Sequence, residues 1–251
     1  MSLRDEHCSR HKHFLKMRKK IYIAILAMCM PLMALADNVP TIAPEAEFTD
    51  YKGETTIGTE YKGNAPLKAF FKANVSNQGS YTGYYEWRFT MEGQEEPYLI
   101  RYEEDTEVTF TKAGTHHIEL YALFTLGTDT ISYQQEYWSK EAPLTVTISE
   151  SKLVMPNAFS PNGDTKNDTY KAKEYQSLVE FHATIFNRWG QKLYEWDDPA
   201  GEWDGKFNGK DVKQGVYFVL VRAKGADGIQ YNIRKDVNLL RGYTETTNTH
   251  E

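Results

Sequence analysis

Residues 153–168, LVMPNAFSPNGDTKND, decide how this chain is divided. Pro156 and Pro161 each fix φ, remove a backbone donor and are followed by Asn, so neither a helix nor a central strand fits here. Gly163 and the Asn and Asp residues after it tolerate positive φ and cap their own backbone. The stretch therefore predicts a structured loop that opens a new module, with a separate module before it.

Strands are predicted on both sides of this loop. Downstream, apolar and polar residues alternate over 181–185, 192–196, 215–223 and 229–240. Upstream, the same period of two recurs over 68–72, 85–89, 117–122 and 144–148, with glycines marking the turns. This spacing is typical of sandwich folds. The short polar linker Ser149–Lys152 predicts that the two modules stack end to end.

The N-terminus has the organisation of a secretory signal peptide. Met17 is followed by three basic residues, an apolar run over 21–35 and the small-x-small site Ala34-Leu-Ala36. We expect cleavage after Ala36, which leaves Asp37 as the first mature residue. A retained membrane anchor is the alternative, although Pro31 interrupts the run. Met17 is the expected start codon, and Met1 remains the other candidate.

Cleavage at this site would change the chemistry of the chain. Cys8 and Cys29 would both be removed, so the mature protein would contain neither disulfides nor thiol chemistry. The removed segment also takes away seven basic and two acidic residues, which leaves 22 against 33 and a net charge near −11. Phosphate backbones repel so acidic a chain, so nucleic-acid binding is disfavoured.

Four separated blocks carry a family resemblance. They resemble, in order, the P-N-A-F-S-P-N-G-D, N-R-W-G, W-D-G and G-V-Y blocks of the gliding-motility-associated C-terminal domain of Bacteroidetes, the type B sorting domain of the type IX secretion system. The residues that match are Pro156, Asn157, Phe159, Ser160, Pro161, Asn162, Gly163, Asp164, Asn167, Asp168, Asn187, Arg188, Trp189, Gly190, Trp203, Asp204, Gly205, Gly215 and Tyr217.

The resemblance implies a role and a location. The second module would be the address read by the type IX translocon and by sorting components of the outer membrane, and the protein would reach the cell surface or the extracellular medium. Thr165 stands where the family usually has Gly, which would change the loop if that position needs positive φ. Upstream, Trp87-x-Phe89 and Phe110-x-x-x-Gly114 resemble Ig-like modules of the polycystic-kidney-disease (PKD) type.

The fold prediction is therefore an all-β chain of two tandem Ig-like antiparallel β-sandwiches after a signal peptide. The predicted boundaries are 1–36 for the N-terminal extension and signal peptide, 40–150 for the PKD/Ig-like module, 152–242 for the sorting module and 243–251 for a polar tail.

Candidate binding residues are few. Asn162, Asp164 and Asp168 are a weak calcium candidate, because Lys166 occupies a position that a calcium loop gives to a ligand, and turn capping is the favoured interpretation. His116 and His117 would point to opposite faces of a strand and cannot chelate one ion together. Trp189 and Trp203 are interpreted as packing and turn anchors in preference to a sugar-binding platform. No metal and no cofactor is predicted.

Function is predicted to rest on recognition. The sequence has no G-x-S-x-G elbow, H-E-x-x-H, P-loop or G-x-G-x-x-G motif, so an enzyme is not expected. The first hypothesis gives the upstream module a role in adhesion or as a structural spacer. The alternative is that it binds host or matrix glycans or proteins through a tyrosine-rich sheet face. That face would use Tyr81, Tyr84, Tyr85, Tyr98, Tyr102, Tyr121, Tyr133 and Tyr137.

Overall fold

The structure, a computed structural model, describes residues 39–242 and is built mainly from β-strands. The predicted signal peptide with Ala34, Ala36 and Asp37 and the predicted polar tail at 243–251 lie outside the described residues. A one-turn helix, α1 (Gln135–Trp138), was not predicted from the sequence. Its Trp138 is buried, and the indole nitrogen donates to the carbonyl oxygen of Leu120 at 3.0 Å, so tertiary packing holds this turn in place.

The upstream part contains ten strands. They are β1 (Glu45–Thr49), β2 (Thr55–Gly58), β3 (Glu60–Gly63), β4 (Leu67–Lys72), β5 (Thr82–Met91), β6 (Leu99–Arg101), β7 (Thr106–Phe110), β8 (Gly114–Leu126), β9 (Asp129–Tyr133) and β10 (Leu144–Ile148). A four-stranded sheet has the order β2-β1-β4-β7, and a six-stranded sheet has the order β3-β10-β8-β5-β6 with β9 paired to β8. The β3–β10 pair is parallel, and the other neighbours are antiparallel.

The two upstream sheets share one core because each strand turns alternate side chains inward. The alternation predicted for β4 is confirmed, with Phe71 fully buried and Phe70 exposed. The Phe71 ring lies 5.6 Å from the Trp87 ring and 5.3 Å from the Phe89 ring of the other sheet. Aromatic contacts at these distances join the two sheets face to face.

The downstream part contains nine strands. They are β11 (Lys152–Val154), β12 (Ala158–Phe159), β13 (Glu174–Gln176), β14 (Leu178–Phe186), β15 (Lys192–Trp196), β16 (Lys206–Phe207), β17 (Lys210–Asp211), β18 (Gly215–Gly225) and β19 (Gln230–Leu239). A five-stranded sheet has the order β12-β19-β18-β14-β15, and the pairs β11-β13 and β16-β17 form small separate sheets. Within residues 153–168 strands are limited to Leu153–Val154 of β11 and β12 at the sheet edge, which agrees with the predicted exclusion of a helix or central strand.

A second hydrophobic cluster lies beneath the five-stranded sheet. The predicted inward positions Tyr217, Val219 and Val221 of β18 are all buried. They pack with Trp203, which is fully buried. A period of two along β18 therefore separates a core face from an outer face, as the sequence predicts.

The two parts touch through a small clasp at Ser177 and Ala226. The Ser177 carbonyl oxygen accepts the N–H of Ala226 at 2.9 Å, and the Ser177 hydroxyl oxygen accepts the N–H of Ala65 at 3.2 Å. The Ala226 carbonyl oxygen accepts the N–H of Ala113 at 3.0 Å. Ala226 is buried within the upstream hydrophobic cluster. A turn of the downstream part therefore completes the upstream core.

The linker is fixed by Asp227, next to this clasp. Its carboxylate accepts the N–H of Ser151 at 2.8 Å, the Ser151 hydroxyl at 2.8 Å and the N–H of Ile229 at 3.1 Å. Partial burial would by itself raise the pKa of Asp227, but these hydrogen bonds outweigh it and hold the pKa below its ordinary value. The Ser151 hydroxyl also contacts the Tyr231 hydroxyl at 2.9 Å.

We predict that Asp227→Asn lowers the free energy of unfolding by about 1 kcal/mol at neutral pH, since it weakens charge-assisted hydrogen bonds that are partly exposed. A lowered carboxyl pKa contributes stability that is present above the ordinary value of 3.8 and is lost as pH falls through the folded-state pKa. The difference between the two proteins should therefore shrink in acid. Urea unfolding followed by tryptophan fluorescence at about pH 7 and about pH 2.5 measures it.

Asp236→Asn, on the exposed side of β19, is the matched control and should leave the stability close to that of the native chain. A constant gap between Asp227→Asn and the native protein across this pH range would contradict the assignment.

Candidate functional site

Asp168 organises the opening loop of the downstream module. One carboxylate oxygen accepts the N–H groups of Asn162 at 2.9 Å and Gly163 at 2.7 Å, and the other accepts the N–H of Thr165 at 2.8 Å. The backbone closes the same loop, because the N–H of Ser160 donates to the carbonyl oxygen of Asn167 at 2.7 Å. Three backbone donors on one carboxylate are the pattern of turn capping.

Asp164 also caps the loop. Its carboxylate accepts the N–H of Lys166 at 2.8 Å and the side-chain amide of Asn162 at 3.0 Å, and these two hydrogen bonds lower the pKa of Asp164. The oxygens proposed as calcium ligands thus accept N–H groups of the loop itself. Within residues 39–242 there is no group of three or more His, Cys, Asp or Glu residues that could hold a metal ion. The geometry favours the capping interpretation.

The loop needs positive φ at Thr165. Its φ is 70°, beside 82° at Gly163 and 53° at Asn167. A β-branched side chain in this region crowds the backbone, whereas Gly and Asn tolerate it. The sequence pattern had marked Thr165 as the position where the resembling family usually has Gly, and the structure shows the physical reason for that preference.

Three of the four motif blocks meet in the core around Trp203. Its ring lies 5.3 Å from that of Phe159 and 5.5 Å from that of Tyr217, and its indole N–H donates to the carbonyl oxygen of Lys206 at 2.8 Å. The interpretation of Trp203 as a packing anchor agrees with this burial. Tyr170, which was not singled out from the sequence, pairs its backbone with that of Trp203 in both directions at 2.8 and 3.0 Å.

Arg241 holds three of these segments together and was also missed from the sequence. Its guanidinium donates to the carbonyl oxygens of Gly205 at 2.8 Å, Val212 at 3.1 Å and Pro161 at 3.4 Å. Gly205 has little room beside it, since an added Cβ would lie 3.1 Å from Leu239 and 3.3 Å from Pro161. A charged residue after the last strand gives no local signal of such a role.

The β14–β15 turn corrects one prediction. Asn187 accepts the N–H groups of Trp189 at 2.9 Å and Gln191 at 3.0 Å, and Gly190 has a φ of 77°, so the turn is well fixed. The Trp189 side chain is nevertheless 83% exposed. Its interpretation as a packing anchor is wrong, because the ring is exposed to solvent at the β14–β15 turn.

The outer side of the five-stranded sheet, to which the two strands of this hairpin belong, also exposes apolar side chains. Val216 and Phe218 of β18 are 48% and 46% exposed. Phe186, the last residue of β14, lies opposite Phe218 in the antiparallel register, and Leu220 is the next outward residue of β18. We name Phe186, Trp189, Val216, Phe218 and Leu220 the hairpin face.

Comparison with protein families identifies the downstream module. Residues 153–233 match the family model of the CHU_C type IX secretion signal domain. Among curated proteins, none was found to match the chain. A signal domain of this kind implies interaction with the secretion machinery and export to the cell surface or the extracellular space. The predicted type IX resemblance and location are confirmed to this extent. No helix within residues 39–242 is both long and apolar enough to span a bilayer.

Upstream of the signal domain, the eight tyrosines do not share one surface. Tyr84 and Tyr102, which are 59% and 68% exposed, line a groove of about 480 Å³ together with Tyr85 and Tyr121. The remaining tyrosines of the predicted set lie at other places. Tyr98 bonds to His116, Tyr133 and Tyr137 pack on each other, and Tyr81 lies against the core.

Polar groups give this groove a defined floor. The Arg88 guanidinium lies 3.9 Å from the centre of the Tyr121 ring and donates to a Glu86 carboxylate oxygen at 2.6 Å. The Tyr121 hydroxyl donates to the amide oxygen of Gln135 at 2.6 Å. Glu86 and Arg88 thus alternate with the inward residues of β5, as predicted for the wet side of this strand.

The two adjacent histidines have separate environments. His116 is buried, its Nε2 donates to the carbonyl oxygen of Lys112 at 3.0 Å, and its Nδ1 lies 2.8 Å from the Tyr98 hydroxyl. Burial lowers the pKa of His116, which favours the neutral ring. His117 is half-buried and faces the other way along β8, so the pair does not chelate one ion.

We predict that Thr165→Gly stabilises the signal domain by about 0.5–1 kcal/mol, because relief of the left-handed strain exceeds the added chain entropy of Gly. Gly163→Ala is the matched control, because it places a side chain at a residue whose φ is 82°. It should lower the free energy of unfolding of the signal domain by about 1 kcal/mol. Chemical denaturation of the full chain measures both values. A loss of stability in Thr165→Gly would show that the threonine side chain makes a compensating interaction.

Proposed function

We propose that this protein is a surface or secreted passenger whose residues 152–242 serve as the address for type IX export and whose residues 40–150 act in adhesion or as a structural spacer. The match of residues 153–233 to a secretion signal domain carries the proposal. The upstream module has its own hydrophobic cluster, in keeping with a passenger that folds as a unit. Outer-membrane sorting components are the proposed partners of the address.

Recognition of a folded surface is the proposed mechanism. The motif residues Phe159, Trp203 and Tyr217 are all buried, so a partner would meet them only through the shape they maintain. We propose no catalytic step and no cofactor. Binding and sorting require only a stable surface, and the sequence contains no motif for nucleophilic, metal or phosphate chemistry.

An Ig-like β-sandwich of the PKD type is proposed for the upstream module. The antiparallel pairing of all neighbouring strands except β3 and β10, and the aromatic contacts between Phe71, Trp87 and Phe89, support it. Such modules serve widely as rigid spacers and adhesive units. The clasp at Ser177 and Ala226 would transmit that rigidity to the signal domain.

A second function, binding of a host or matrix glycan or protein, is favoured by the groove at Tyr84 and Tyr102. Exposed tyrosine rings offer stacking surfaces, and Arg88 and Glu86 offer hydrogen bonds beside them. This combination suits a sugar ring or a polar peptide. The groove lies in the upstream module and the proposed address lies in the downstream module, so ligand binding and export are compatible functions.

The export role is tested by deleting residues 152–251 in the native bacterium. We expect the remainder to stay in the periplasm, because it lacks the address, while the full chain becomes accessible to protease added to intact cells. The reciprocal fusion of residues 152–251 to an otherwise periplasmic reporter should bring that reporter to the surface. A truncated protein that still reached the surface, or a fusion that did not, would refute the role.

The binding role is tested on the full mature chain with Tyr84→Ala and Tyr102→Ala combined. Both rings are largely exposed, so we expect the fold to be retained and binding on glycan and matrix-protein arrays to fall by about tenfold or more. Tyr194→Ala, a partly exposed tyrosine of the signal domain, is the matched control. If the native protein binds nothing on either array, the binding role is refuted and only the spacer role remains.

A further inference from the structure

The hairpin face is an apolar surface on the side of the signal domain that the core does not use. In β18, Val216, Phe218 and Leu220 alternate with the buried Tyr217, Val219 and Val221. Polar side chains at these outward positions would make the surface more soluble and would leave the packing of the core unchanged. Exposed apolar side chains concentrated on one sheet face are typical of interaction sites.

Trp189 adds the largest side chain to this surface. It follows Phe186 by three positions, and its backbone is held by Asn187 while its ring stays 83% exposed. The fold gains little from a tryptophan that makes so few contacts, since apolar stabilisation scales with the area removed from water. A rigid turn that presents an exposed indole has the properties of a binding anchor.

The hairpin face lies at the far end of the sheet from the upstream module. Leu178 at the start of β14 pairs with Gly225 beside the clasp, and Phe186 at its end pairs with Phe218. Eight residue steps of about 3.3 Å separate the two ends by roughly 26 Å. A partner can therefore reach the hairpin face whatever module precedes the signal domain, as an address requires.

The charged side chains at the outward positions of β18 and β19 are Arg222, Lys224, Arg234 and Asp236, so the local charge is positive, in contrast to the acidic chain. Arg222 and Arg234 lie on the same outward side, and within residues 39–242 neither forms an ion pair. The lysines nearby are neutralised, Lys224 by Glu180 at 3.5 Å and Lys192 by Glu195 at 2.8 Å. Unpaired guanidinium groups beside apolar rings are complementary to an apolar protein surface bordered by carboxylates.

From these observations we propose that the hairpin face is the surface through which the signal domain docks on a protein of the export machinery, and that the partner presents an apolar site bordered by carboxylates. Trp189 and Phe218 are the anchors, and Arg222 and Arg234 set the orientation. The inference rests on the proposed export function and assigns that function to particular residues.

The test uses the full chain in the native bacterium with Trp189→Ala and Phe218→Ser combined. Surface exposure should fall by about tenfold with accumulation in the periplasm, since anchors of this kind dominate binding. The purified variant should unfold in urea at nearly the native midpoint, because both side chains are substantially exposed. Ile229→Ser, a 51% exposed residue at the clasp end of the same domain, is the matched control and should be exported normally.

Charge reversal gives a second readout. Arg222→Glu with Arg234→Glu should also impair export, because carboxylates on the partner would repel it, whereas Arg222→Lys with Arg234→Lys should retain most of it. Normal export of the Trp189/Phe218 variant would overturn the inference. The protein that lacks residues 152–251 is tested in parallel. If this truncated protein is still exported, the export role itself is refuted. If it is retained while the Trp189/Phe218 variant is exported normally, only the assignment to the hairpin face is refuted.

A lipid surface is the competing occupant. The purified native chain and the Trp189/Phe218 variant are sedimented with vesicles of phosphatidylethanolamine and phosphatidylglycerol. We expect neither to sediment with the vesicles. Sedimentation of the native chain that is lost in the variant would assign the hairpin face to the membrane and overturn the proposal of a protein partner.

Discussion

The burial of Trp203 is the interaction on which the signal domain depends. Its ring contacts Phe159 from the opening loop and Tyr217 from β18, and its backbone pairs with Tyr170. Three segments separated along the chain thus become neighbours in one close-packed site. Three of the four motif blocks supply a wall of this core through Phe159, Trp203 and Tyr217, and the role of these residues is packing. Arg241 then joins the carbonyl groups at its edge.

The same domain contacts the upstream module through small residues and backbone groups. Ala226 enters the upstream core, and Ser177 bonds to both sides of the boundary. Contacts of this kind depend little on long side chains, so they order the boundary at a low loss of side-chain entropy. Asp227 and Ser151 fix the linker beside them. The two modules are consequently held in contact at one end of the five-stranded sheet, while the other end lies away from this boundary.

In the docking that we propose, folding and recognition use opposite sides of one sheet. Tyr217, Val219 and Val221 stabilise the inner side, and Phe218 and Val216 of the same strand remain exposed on the outer side. Because side chains alternate between the two sides of a strand, β18 can contribute to the core and still present an outer surface for the proposed docking. Trp189 and Trp203 show the contrast most clearly, since both belong to the family motifs and only Trp203 is buried.

Local patterns were enough to determine the β-rich fold, the strands around 181–185 and 215–223, the turn at Gly163 and the family of the second module. Strand alternation, proline geometry and left-handed turns are properties of a few adjacent residues, so the sequence expresses them directly. The exposure of Trp189, the carbonyl contacts of Arg241, the entry of Ala226 into the upstream core and the helical turn at Trp138 were decided only by the tertiary structure. Each depends on which distant segment of the chain packs against the residue. The residues adjacent to it in the sequence carry no information about that segment.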